Sequence, residues 1–159
     1  MPNTSNAADG WPDAPLYAWD YNALLDQAVT ALQRRCDGYP KLIERGVMEL
    51  ADADADIAAW ALLADEWRWI VDGTGTLPPP CTLDQRLGAV DLAVERVGTE
   101  LRKGNRGHDV YRQSHLLQAM RWHLERMKDG APAVHYFAAL TRAVRAGLAN
   151  DRQPQQEAA

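Results

Sequence analysis

Asp52, Asp54 and Asp56 place three carboxylates at alternate positions, the spacing with which a calcium loop surrounds one hard cation. Such a loop also needs a glycine at its sixth position and a bidentate carboxylate at its twelfth, where this chain has Ile57 and Leu63. The acids are better read as favouring the positive N-terminus of the helix that follows. Gly73-Thr74-Gly75-Thr76 shares only its glycine content with a phosphate loop, because a helical pattern precedes it and prolines follow it. The turn Gly104-Asn105-Arg106-Gly107, beside Arg102 and Lys103, offers an anion more free amides and more positive charge, although a solvated turn between helices accounts for it as well.

The four histidines, His108, His115, His123 and His135, never fall three or four residues apart, so no pair is set on one helix face for a metal. Neither a metal nor any other cofactor is expected. Cys81 lies just before a predicted helix, where the dipole lowers a thiol pKa, but the sequence shows no base to serve it. Asp65, Glu66, Asp72, Asp91 and Glu95 are indistinguishable from acids on a solvated face. With no catalytic residue to assign, the chain reads as a protein that is not an enzyme.

Two groups of residues suit contact with a partner. His108, Arg112, His115, Ala119, Trp122 and Arg126 recur at steps of three and four opposite the apolar stripe of their helix. Arg112, His115, Trp122 and Arg126 thus form a basic and aromatic face, the composition of a contact hot spot. The competing arrangement packs Trp122 under a loop or the N-terminal arm and pairs the arginines with acids of the first half. The second group is the acidic region of Asp52, Asp54, Asp56 and Asp65, extended by Asp72, which resembles phosphates to a basic groove.

The elements that position these residues are all helical. Residues 1–18 are interrupted by Trp11-Pro12 and Ala14-Pro15 and read as an N-terminal arm. A first helix starts after Asp20 and is expected to stop at Gly38; Pro40 then suits the first turn of a shorter second helix carrying Leu42, Ile43, Val47 and Leu50. A third, from about Asp56 to Asp72, is apolar nearly all round, which requires either a central place in a bundle or a covering chain. Residues 73–81 form a proline-rich connector. Thr82 and Gln85 make a capping-box pattern before a fourth helix with Leu83, Leu87, Val90, Val94, Val97 and Leu101 at steps of four and three. A fifth carries Val110, Leu117, Met120, Leu124 and Met127 and is expected to pair antiparallel with the fourth. In the last, opened by Pro132, a buried side of Val134, Phe137, Leu140, Thr141, Val144 and Leu148 is expected, followed by a disordered tail over 150–159. The expected fold is all-α, a single-domain irregular bundle of five or six helices spanning 19–149.

Composition agrees with that class. The 159 residues are 47% hydrophobic and 25% charged, ordinary values for a globular domain of one core. No apolar run is long enough for a membrane span, no leader pattern opens the chain, and a cytoplasmic location is expected, with Cys36 and Cys81 as free thiols. The net charge of −5 is uneven: residues 1–80 hold 13 acids and 5 bases, and residues 81–159 hold 9 acids and 12 bases, so the halves carry −8 and +3.

Six tryptophans, an apolar helix and no constellation for chemistry favour an interaction module that binds another protein and inhibits or adapts a bacterial complex, one that handles nucleic acid being the sharpest version. Size and charge alone place it beside immunity and adaptor proteins and phage or mobile-element inhibitors such as anti-CRISPRs. The second reading is a nucleic-acid accessory protein using the basic-aromatic face, opposed by the acidic first half and by there being only three lysines. Homodimerisation through the apolar third helix is a further possibility.

Overall fold

A computed structural model describes residues 14–125 and 131–152. Within them the chain is all-α: α1 (Tyr21–Glu44), α2 (Leu50–Asp72), α3 (Leu83–Arg102), α4 (His108–His123) and α5 (Ala133–Arg152), with a short 3-10 turn at Pro80–Thr82. α1 packs on α2, α3 on α4, and α1 and α2 close the bundle against α4 and α3 respectively; α5 packs on α2. The short links at 45–49 and 103–107 make α1–α2 and α3–α4 antiparallel hairpins, and each turns through a glycine with positive φ, Gly46 at 71° and Gly104 at 93°.

α2 is the central element. Its Trp60, Leu63, Ala64 and Trp67 are fully enclosed with Leu24 and Ala28 of α1, Val90 of α3, and Leu117 and Met120 of α4. The apolar girth of α2 is met by α1, α3 and α5 of the same chain.

Several boundaries differ from the sequence pattern. α1 runs through Gly38 and Pro40 to Glu44, so the expected second helix is the last turn of the first. The residue between the two breakers explains this: Tyr39 is buried, donates its hydroxyl to Asp56 of α2, and accepts from Arg96 Nη1 of α3 at 3.3 Å. Burial first, then the Asp56 carboxylate, raise the pKa of this hydroxyl, keeping it a donor. A tertiary anchor therefore holds a turn that Pro40 weakens by one missing N–H. α2 begins at Leu50, so Asp52 sits in its first turn and Asp54 and Asp56 in its second. The capping box before α3 does not form; Thr82 Oγ1 donates to the Pro79 carbonyl at 2.7 Å instead.

The connector is anchored where it leaves α2. Gly73 closes α2 at φ 77°, and Thr74 donates both its amide and its hydroxyl to Asp72, which hold that exposed carboxyl below the usual range. A Cβ on Gly75 would lie 2.2 Å from the backbone oxygen of Asp65, so only glycine permits this approach to α2.

α5 departs most from expectation. Val134 and Ala138 are buried, but Phe137, Leu140, Val144 and Leu148 are 40–55% exposed, and the helix extends to Arg152. Its docking on α2 is largely polar. His135 Nε2 lies 2.6 Å from Glu66 Oε1, and Arg142 donates to the Trp69 carbonyl at 2.6 Å with its guanidinium 4.1 Å from the Trp69 ring centre. A cation on the last carbonyls of α2 complements that helix end.

Candidate functional site

The acidic residues are distributed by the helix, at 100° per residue, over opposite faces of α2. Asp52 and Asp56 share one face with Glu49; Asp54 and Asp65 lie on the other side. Asp56 is half-buried and accepts from Arg35 Nε at 2.7 Å as well as from Tyr39. Asp65 is paired within its helix to Arg68 at 3.1 Å. Asp52 and Asp54 are exposed.

Asp52 and Asp56 open onto a groove of about 590 Å³ between α2 and α3. Its floor is made of small residues, Ala55 and Ala59 from α2 with Gly88 and Ala89 from α3. Val47 and Leu92 supply exposed apolar walls, at 72% and 40% exposure, while Glu49 and Asp52 stand exposed on the rim. Arg96, held to Tyr39, closes one side. Small side chains on two adjacent helices let another segment approach the backbone closely, apolar walls reward its burial, and carboxylates select positive charge.

The α4 face is assembled differently. Arg112 is exposed, with its guanidinium 5.6 Å from the Tyr17 ring centre, and lines a mixed-charge cleft of about 450 Å³ with Asp26, Arg34 and Asp109. His115 is half-buried and Ala119 fully buried. Trp122 is half-buried, edge-on to Trp19 at 5.7 Å and to His123 at 4.9 Å. Arg126 lies outside the described residues. Tyr17 and Trp19 of the arm thus lie against Arg112 and Trp122.

His123 pins that arm. It is buried among Trp19, Tyr21, Trp67 and Trp122, and its Nε2–H donates to the Ala18 carbonyl at 2.5 Å. Burial lowers its pKa, partly opposed by the bond to Ala18. Tyr17 adopts φ 66° to make the turn, a conformation L-residues seldom hold without such support.

Sequence reasoning missed one charged cluster. Glu66 is fully buried, its Oε1 shared by Arg86 Nη1 at 2.5 Å and His135 Nε2 at 2.6 Å. The partners come from α3 and α5, 20 and 69 residues away. One signal was available: Arg86 interrupts the apolar side of α3 between Leu83 and Val90. The cluster joins elements and does not open to a described cleft. Cys36 and Cys81 are exposed free thiols, and among the described residues no three His, Cys, Asp or Glu side chains are placed to hold a metal ion. No helix among the described residues is long and apolar enough to cross a membrane.

No family model, curated protein or solved structure matches this chain.

Proposed function

We propose that this protein is a non-enzymatic interaction module that holds a basic segment of another protein in the α2–α3 groove, and through it inhibits or adapts a bacterial protein complex. One observation carries this reading: the groove combines a floor of alanine and glycine, exposed apolar walls and an acidic rim. That combination fits a helix or extended strand of chain better than a small reactant, since the groove runs between two helix faces and Asp56 is already engaged by Arg35 and Tyr39. Complexes that handle nucleic acid expose basic segments of this kind, and Asp52 with Glu49 is the pair that would meet them. The basic face of α4 supports a nucleic-acid reading less well, because Tyr17 and Trp19 already occupy Arg112 and Trp122.

Gly88→Leu tests the reading. A Cβ on Gly88 meets nothing within 4 Å, so the larger side chain fills the groove without displacing the bundle. Nuclease-treated pull-downs from a bacterial lysate should yield a partner with the wild-type chain and at least about tenfold less with Gly88→Leu or Asp52→Arg, a loss of the size expected for a central contact. Undiminished capture by both variants, or recovery only of nuclease-sensitive material, defeats the proposal.

A further inference from the structure

Asp26, Thr30 and Arg34 follow one another at steps of four along α1 and, with Gln27, form one wall of the cleft of about 450 Å³ between α1 and α4. Gln27 is only 8% exposed, yet its side-chain amide makes no hydrogen bond among the described residues. Nor is that amide sealed in the bundle, as the unpartnered indole nitrogens of Trp60 and Trp67 are, so it surfaces where the residue lines the cleft. A nearly buried amide is costly to leave unmatched, and the only room for a match is the cleft itself. Thr30 and, on the α4 wall, Gln113 are likewise without a side-chain hydrogen bond among the described residues.

The charges of the cleft are set apart from one another. Asp26 and Arg34 are exposed, stand two helical turns or about 12 Å from each other along α1, and form no ion pair among the described residues. On the α4 wall, Asp109 has only the exposed His108 at 3.9 Å, and Arg112 has the Tyr17 ring and no carboxylate. Two acids thus balance two bases. A plain anion drawn to the arginines would also meet carboxylates, and a plain cation would meet guanidiniums; a molecule with opposite charges at its two ends avoids both penalties. We infer that this cleft binds a short linear peptide with free ends, its ammonium against Asp26, its carboxylate on the Arg34 fork, and its amides against Gln27, Thr30 and Gln113. Extended chain covers about 3.3–3.6 Å per residue, so about three residues match the span between the two charges. The planar guanidinium suits the two oxygens of a carboxylate, and glutamine side chains both donate and accept, as peptide groups require. The cleft is within the range of small-ligand sites, about 300–1,000 Å³. It lies on α1 and α4, away from the α2–α3 groove, and does not rest on the function proposed for that groove.

Tri-alanine, which presents two free ends and two amides and no other polar group, is the probe. Titrated into the isotope-labelled full chain, it should move the side-chain amide resonances of Gln27 and Gln113 with a Kd of about 1 mM or below. N-acetyl-tri-alanine and tri-alanine amide should each bind at least about tenfold more weakly, the loss expected for one charge-assisted contact. Asp26→Asn should abolish the discrimination against the acetylated peptide, and Arg34→Gln the discrimination against the amide. Both variants change exposed positions, and unaltered helical circular dichroism confirms the fold. Resonances of Gln27 and Gln113 that stay fixed up to the solubility limit of tri-alanine overturn the inference. So do equal affinities for the free and end-blocked peptides, or inorganic phosphate that binds the cleft as tightly as tri-alanine does.

Discussion

His123 is the residue at which protonation and structure are most tightly joined. Its ring is enclosed by three indoles and a phenol, and burial disfavours the charged form. In the unfolded chain the same ring takes a proton near its ordinary pKa of about 6.5. The sign follows: the folded pKa is depressed, so the unfolded state binds more protons in the window below about 6.5, and the contribution is full above it and lost as pH falls. Stability to urea should decline between neutral pH and mildly acidic pH by up to about 1.4 kcal/mol per pH unit from this group. His123→Gln keeps a donor for the Ala18 carbonyl and removes the titration. The difference in urea midpoint slope between the two proteins isolates the effect, and identical pH profiles would show that His123 does not contribute. Protonation leaves the Nε2–H bond to the Ala18 carbonyl in place, so the loss on acidification comes from charging a ring enclosed by Trp19, Tyr21, Trp67 and Trp122.

At the scale of elements, local signals and tertiary anchors compete, and α1 shows which wins. Gly38 lies inside this helix with open space where its Cβ would be. Gly38→Ala should therefore stabilise the protein by about 0.5–1 kcal/mol, the ordinary cost of glycine within a helix. Gly75→Ala should cost more than that, because its Cβ collides with the Asp65 backbone. Thermal unfolding of the two variants should move in opposite directions from wild type; the same direction for both contradicts the geometry. α3 and α4 were legible because Leu83, Val90 and Val97 repeat at steps of seven, and Leu117, Met120 and Leu124 at steps of three and four, and all are buried as that spacing demands. The end of α1 was not, since Tyr39 finds Asp56 and Arg96 17 and 57 residues away. Nor was the groove, whose floor needs Ala59 and Gly88 to meet across two helices. For α5 the spacing revealed an amphipathic helix, and periodicity is silent on whether its own chain covers the apolar side.

The whole molecule divides its charge and its stability unevenly. Part of the contrast between the acidic and basic halves is spent inside the bundle, where Glu66 of the first takes both Arg86 and His135 of the second. What remains outside is the acid around the groove at one place and the exposed Leu140, Val144 and Leu148 of α5 at another. Beyond Arg142, which caps α2, residues 143–151 are exposed on every side in one chain and contain Gly147, so as an isolated end this helix is marginal. The centre of α2 around Trp60 and Trp67 is enclosed by its neighbours and should exchange its amides only through global opening. Amide exchange over 143–151 should thus be fast in the native protein, while that of the centre of α2 follows global unfolding in urea. Protection of 143–151 equal to that of the centre of α2 would mean that contacts beyond Arg142 hold the outer half of α5 in place.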